Sequence, residues 1–240
     1  MSSTKQITLT PFQQEKLEYF FKFFEPNADN ELVEDSLAKF VKRILEYTGW
    51  DTKSHSAQEC YEVFETFFEI LFDRTAKEDA SNHKVTVSDW WAFWSHLLPG
   101  CMGMYNFPIW LRLLPKTLFK IIDRDEDGLI TEQELYQFYK DMVQLEAEEA
   151  RENSHLAFSQ MTDDGRYPLN LSGYDQIFAN FLIGRTPYGP GRHIFGCFEH
   201  SVDNGPFHLI MPAPEDEEES ESTIKIHKEK RPKRGSLPAK

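Results

Sequence analysis

Apolar residues recur along this chain at three- and four-residue spacing, in short blocks separated by polar, turn-prone stretches. Leu17, Phe20, Phe21 and Phe24 fall at i, i+3, i+4 and i+7, which is one stripe of a helix. Thr10 reads as its N-cap, Pro11 as its first residue and Gln13 as the closing arm of a capping box. A second stripe, Leu37, Phe40, Val41 and Ile44, follows a polar gap. Cys60, Phe64, Phe67, Phe68 and Leu71 form a third, introduced by a capping box of Ser56 and Glu59. Trp90, Trp91, Phe93 and Trp94 follow and read as core anchors. Leu118, Phe119, Ile121 and Ile122 then precede an acidic stretch that Leu135, Phe138, Tyr139 and Met142 follow. Pro115 either opens that entering helix or kinks a longer one from Trp110. Tyr174, Ile177, Phe178 and Phe181, capped by Ser172, close the series. The pattern predicts an all-α chain of four helix–loop–helix units in two pairs, residues 10–100 and 101–183, after a flexible stretch 1–9.

The acidic stretch at 123–134 carries the chemistry. It reads Asp-Arg-Asp-Glu-Asp-Gly-Leu-Ile-Thr-Glu-Gln-Glu. Asp123, Asp125 and Asp127 stand at positions 1, 3 and 5 of a twelve-residue calcium loop, with Gly128 at the sharp turn. Leu129 at position 7 offers its carbonyl. Thr131 at 9 reaches the ion directly or through water, and Glu134 at 12 gives two oxygens. Calcium is a hard cation that takes six to eight oxygens, and this spacing wraps them around one point. Ile130 suits a short strand joining two loops, and Thr131 with Glu134 makes a capping box for the outgoing helix. Four carboxylates in a full loop place the affinity at roughly 10⁻⁸–10⁻⁵ M.

The other three loops are degenerate. Glu25–Ser36 has Asn30 at position 6 and Ser36 where the bidentate carboxylate belongs. The second loop keeps a usable back half, Lys84 to Asp89 with Val85 at position 8, but Ala80, Asn82 and His83 spoil its front. The fourth, around Thr162–Pro168, sets Arg166 where a ligand is wanted and Gly173 at position 12. Its Asp163 and Asp164 read as a solvated turn. Leu169 is placed to pair with Ile130 across the second pair of loops.

Composition narrows the function. Twenty Phe, nine Tyr and five Trp among 240 residues call for a filled aromatic interior or an apolar cavity. A net charge of −14 favours cations and disfavours nucleic acid as partner. Three cysteines, an odd number without framework spacing, fit a reducing compartment. No signal-peptide core or transmembrane run is visible, so a cytoplasmic location is expected. Asn170-Leu171-Ser172 is a glycosylation sequon by pattern alone.

Four features together resemble the sarcoplasmic calcium-binding protein and calexcitin-like branch of the EF-hand family, which includes juvenile-hormone-diol-kinase-like proteins. They are the loop 123–134, Thr48-Gly49-Trp50, the run Val85–Trp90 with Trp94, and Gly191-Arg192-His193-Ile194-Phe195-Gly196. The resemblance covers residues 10–200. It implies a compact cytosolic protein of four EF-hands, with a C-terminal segment folded onto the aromatic core. It also implies two or three competent sites, where this chain keeps one.

Residues 184–211, rich in Gly, Pro and aromatics such as Tyr188, Phe195, Phe198 and Phe207, are expected to pack on that core. Residues 212–240 form an acidic and then basic tail, Glu215–Glu221 followed by Lys228, Lys230, Arg231, Lys233 and Arg234, too charged to fold alone. Ser236 after Arg234-Gly235 resembles a kinase target. The expectation is a non-enzymatic calcium sensor or buffer, with calcium the bound ion, magnesium at rest, and an unspecified protein target. Two alternatives stand beside it: a phosphotransferase of the diol-kinase type, and a carrier of an apolar small molecule. Against the first, the Gly184–Gly191 stretch lacks the phosphate-binding lysine. Cys197-Phe198-Glu199-His200 lacks the ligands for zinc.

Overall fold

The computed structural model describes residues 9–76 and 84–196. Residues 1–8, the front of the second loop with Ala80, Asn82 and His83, and everything from Cys197 onward, Phe198, Phe207 and Ser236 included, lie outside them.

Eight α-helices occupy the described residues: α1 Pro11–Phe23, α2 Glu34–Thr48, α3 His55–Thr75, α4 Val87–Leu97, α5 Ile109–Ile122, α6 Glu132–Gln137, α7 Ala147–Thr162 and α8 Leu171–Ile183. The all-α expectation holds, with the helices paired around loops. β1 Glu31–Val33 and β2 Lys84–Thr86 join the first two loops, antiparallel, with Leu32 opposite Val85. In the second pair a single bridge links Leu129 and Asn170, and the Ile130 N–H donates to the Leu169 carbonyl at 2.9 Å.

The helix ends show which polar residues the backbone chose. Thr10, Pro11 and Gln13 start α1 through the expected reciprocal capping box. Gly49 ends α2 at φ 71°, a left-handed conformation that glycine adopts freely. Two caps fall elsewhere than expected. α3 starts two residues early, capped by Ser54 instead of Ser56. α8 is capped by Asn170, whose side-chain oxygen accepts from Gly173 N, instead of by Ser172. In both cases another polar residue two positions upstream was free to cap. The helix from Ile109 runs through Pro115, so of the two expectations for that proline the long helix is observed. After the short α6 the chain widens into a π-helical turn, Phe138–Met142. It still buries Phe138, Tyr139 and Met142.

The interior is aromatic. The Phe20 ring lies 5.5 Å from Trp90, 5.9 Å from Trp94, 5.8 Å from Phe181 and 5.1 Å from Phe195. One side chain thus joins α1 and α4 of the first pair, α8 of the second pair and the segment beyond it. That segment folds onto the core through Ile194 and Phe195, while Tyr188 stays 62% exposed. Trp91 is only half-buried and donates its indole N–H to the Gln14 carbonyl.

The first and last helices are also clipped by polar contacts. Thr10 donates to the Arg185 carbonyl, Gln13 to Ile183, and the Lys16 ammonium to Gly184 at 2.5 Å. Lys16 is fully buried between Phe12 and Phe181. The carbonyl end of α8 favours its charge, but burial opposes it more strongly and lowers its pKa to about 7 from an ordinary 10.5. Between these values the unfolded chain holds a proton that the folded chain releases. Lys16 therefore makes stability rise with pH in that window. Burial also pushes the Cys60 thiol up to about 12, which offsets that rise above pH 9. From pH 7 to pH 9 we expect the stability difference between wild type and Lys16→Met to move toward wild type by about 1–3 kcal/mol, read by urea unfolding. No pH dependence in that difference refutes the assignment.

Candidate metal centre

The loop after α5 turns back on itself because its own carboxylates organise it. Asp123 follows the last residue of α5, and its Oδ2 accepts from Gly128 N at 3.0 Å. Gly128 stands at φ 87° and meets no neighbouring atom, so conformation alone selects glycine there. Asp125 accepts from Asp127 N, and Asp127 accepts from Leu129 N. Glu134 is the third residue of α6, and its helix start aims it back into the loop. Its Oε2 accepts from Thr131 N at 2.9 Å and from the Thr131 hydroxyl at 2.8 Å, and its Oε1 accepts from Arg124 N.

These constraints bring oxygens of Asp123, Asp125 and Glu134 within 4.8 Å of one another. Asp127 lies outside that trio with its carboxylate turned to the Leu129 amide, and Thr131 faces Glu134. The Asp123 carboxyl is pushed toward its neutral form, first by burial and then by the charges of Glu134, Asp127 and Asp125, against the help of the Gly128 amide. Its Oδ1 is buried without a hydrogen-bond partner. A buried acceptor left unpaired costs about 1–3 kcal/mol. A hard divalent cation is what such an all-oxygen set is built to take, since it satisfies the orphan oxygen and offsets the repulsion together.

The other loops are closed by protein contacts where this one gathers free carboxylate oxygens. In the first, Ser36 accepts from Val33 N and donates to the Glu25 carbonyl, both at 3.1 Å, tying position 12 to position 1. Arg43 forms an ion pair with the Glu25 carboxylate at 3.1 Å. Asn30 takes the left-handed turn at φ 57° in place of glycine. In the second, Asp89 is held by the Thr86 amide and hydroxyl. In the fourth, the Arg166 guanidinium occupies Asp163 at 2.7 Å, and Ser159 donates to Asp164. Arg43, which the sequence reading passed over, is the cation that substitutes for a metal in the first loop. Its signal was a basic residue on the exit helix of a loop that keeps Glu25 at position 1 but lacks the carboxylate at position 12.

The glycine-rich stretch before the C-terminal segment has a packing role. A side chain on Gly191 would meet Phe181 N at 2.3 Å, and its own amide donates to Asn180 Oδ1 at 2.9 Å.

Fold and loop together have the form of paired helix–loop–helix calcium-binding units, and known proteins of that kind are similar to this chain. No family model matches the chain. Over 178 residues it is 24% identical to sarcoplasmic calcium-binding proteins I, III and IV of Branchiostoma lanceolatum, covering 72% of this chain and 91% of the relative. The solved sarcoplasmic calcium-binding protein from amphioxus matches with a TM-score of 0.64 at 21% identity, over 80% of this chain and all of that one. Calcium-loaded apo-aequorin from Aequorea victoria matches at 0.58 and 18% identity, over 75% and 94%. The chain is thus similar to the sarcoplasmic calcium-binding proteins in sequence and shares its fold with them and with the photoproteins.

Gly128→Ala forces a side chain into the left-handed region and should cost the metal-free protein about 1–2 kcal/mol in unfolding experiments with EDTA present. An unchanged midpoint would contradict the turn geometry.

Proposed function

We propose that this chain is a cytoplasmic, non-catalytic calcium-binding protein with one competent EF-hand. Asp123, Asp125, Asp127, the Leu129 carbonyl, Thr131 and Glu134 hold the ion, and magnesium occupies the site at rest. The unpaired buried oxygen of Asp123, set among the carboxylates of Asp125 and Glu134, carries this reading. The similarity to sarcoplasmic calcium-binding proteins supports it. Among the described residues no helix is long and apolar enough to cross a membrane.

A sensing role is favoured over simple buffering by what touches the loop. The Arg124 guanidinium, at position 2, lies 5.2 Å from the ring of Tyr47 on α2. Phe138, just past α6, packs against Tyr47 and Phe23 of the first pair. Tyr139 donates to the His193 carbonyl in the C-terminal segment. Drawing Glu134 onto an ion therefore moves a helix that leans on both pairs and on the terminal segment. The carrier alternative has a fold likeness to the coelenterazine-binding protein of Renilla muelleri behind it, at TM-score 0.55 and 12% identity. Against it, Phe195 packs 4.7 Å from Phe23 and 5.3 Å from Phe181 in the aromatic interior.

Calorimetric titration with magnesium present should give about one calcium per chain, together with a change in tryptophan fluorescence. Glu134→Gln should weaken binding by more than ~100-fold, beyond the cost usual for a residue that merely supports a ligand, and abolish the fluorescence change. Tight binding of several ions, or a full response in Glu134→Gln, rejects the single-site reading.

A further inference from the structure

The connection between the two pairs carries an exposed apolar edge that the calcium site does not use. Met102 is 83% exposed, Tyr105 70% and Ile109 68%, and Leu113 is exposed as well. Buried neighbours anchor this edge: Met104, Phe107, Leu111 and Leu114 all point inward from the same stretch. The outer residues are therefore displayed from a firm base. On α5 the solvent face continues from Ile109 and Leu113 to Lys116 and Lys120, at i, i+4, i+7 and i+11, one narrow stripe. α5 contains Arg112, Lys116 and Lys120 and not one acidic residue, in a chain whose net charge is −14. Arg74 extends the cationic flank from α3, its guanidinium 5.9 Å from the ring of Trp110.

We propose that this edge, Met102–Leu113 with the cationic side of α5, is a docking face for an anionic lipid surface. An apolar row beside cations, with an aromatic hydroxyl among the projecting side chains, is the arrangement that lies in a headgroup layer: Met102 and Ile109 enter it, Tyr105 sits at its depth, and Arg112 and Lys116 meet phosphates. Side chains this exposed project outward and line no groove, which suits a deformable surface better than a folded partner. A second copy is a poor occupant, because a two-fold pairing of this face sets Arg112 and Lys116 against their own counterparts. The acidic remainder of the chain does not prevent adsorption. Charges beyond a screening length of about 8 Å are little felt at physiological salt. The nearest acids are already engaged: Glu59 pairs with Lys120 at 2.6 Å, and Asp175, half-buried, faces Arg112 and Lys116. The attraction is therefore modest, since Arg112 and Lys116 share Asp175, and the apolar row is required for binding.

Co-sedimentation of the full chain with vesicles tests this, in EGTA and magnesium so that calcium binding plays no part. Vesicles of phosphatidylcholine with about 30% phosphatidylserine should bind the chain, those of phosphatidylcholine alone should bind at least tenfold less, and added salt should release it. The triple variant Met102→Glu/Tyr105→Glu/Ile109→Glu alters only exposed positions and retains the basic run Lys228–Arg234. It should keep the wild-type circular dichroism and melting temperature yet lose at least tenfold in partitioning, and Lys116→Glu should lose fivefold or more. Three results overturn the proposal: a wild-type chain that ignores anionic vesicles, a triple variant that binds as wild type does, and a wild-type dimer in light scattering that the triple variant turns into a monomer.

Discussion

The packing of one ring, Phe20, holds the two pairs of helix–loop–helix units together. Trp90 and Trp94 from α4, Phe178 and Phe181 from α8, and Phe195 from the C-terminal segment all meet it. A pair of such units on its own leaves an apolar face that something must cover. Here each pair covers the other, and Phe195 closes the remaining gap. The calcium loop is therefore no appendage. The chain leaving its exit helix rests through Phe138 on Phe23, one turn of α1 from Phe20, so the loop is joined to the aromatic core.

The loops differ in what neutralises their charge. Where an ion is absent from the design, a protein group takes its place: Arg43 against Glu25 in the first loop, Arg166 against Asp163 in the fourth. Ser36 even reproduces the closure that a glutamate at position 12 makes through a metal, joining loop end to loop start by direct hydrogen bonds. The third loop alone, among the described residues, gathers three carboxylates without a cation among them. Its shape is set by backbone donors, leaving Asp123 with one oxygen unspent. This contrast gives a stronger argument for a metal than the loop sequence does, since acidic turns are common and a buried unpaired carboxylate oxygen is not.

Much of this was legible beforehand because the relevant signals are local. The stripes containing Phe20, Phe67, Ile121 and Phe178 mark helices through period alone, and Leu32 met Val85 because both stand at position 8 of their loops. Capping was legible only where a single candidate existed. At α3 and α8 two polar residues competed, and Ser54 and Asn170 won over Ser56 and Ser172. Tertiary features stayed hidden. Nothing in a helical period shows that Lys16 will be sealed against the end of α8, since lysine on a stripe reads as solvent-facing until α8 is in place. The π-turn at Phe138–Met142 was hidden too: its stripe reads as a plain helix, and the wider turn still buries the same three side chains. Arg43 needed the spatial approach of α2 to the start of the loop to be seen as a counter-ion.

The placement of α5 links the two surfaces on which function is argued. Its C-terminal end passes directly into Asp123, while its N-terminal end carries Ile109 and follows the exposed turn with Met102 and Tyr105. A helix of fourteen residues is a rod of about 21 Å, and α5 is fixed along its length by Leu111, Leu114, Leu118 and Ile121, all buried. If an ion at Asp123 reorients α5, the apolar edge at its other end moves with it, and anchoring that edge restrains the loop. By linkage the two effects are equal in free energy whichever is applied first. Among the described α-helices α5 alone has no acidic residue, and it runs from the apolar edge directly into the acidic loop at Asp123.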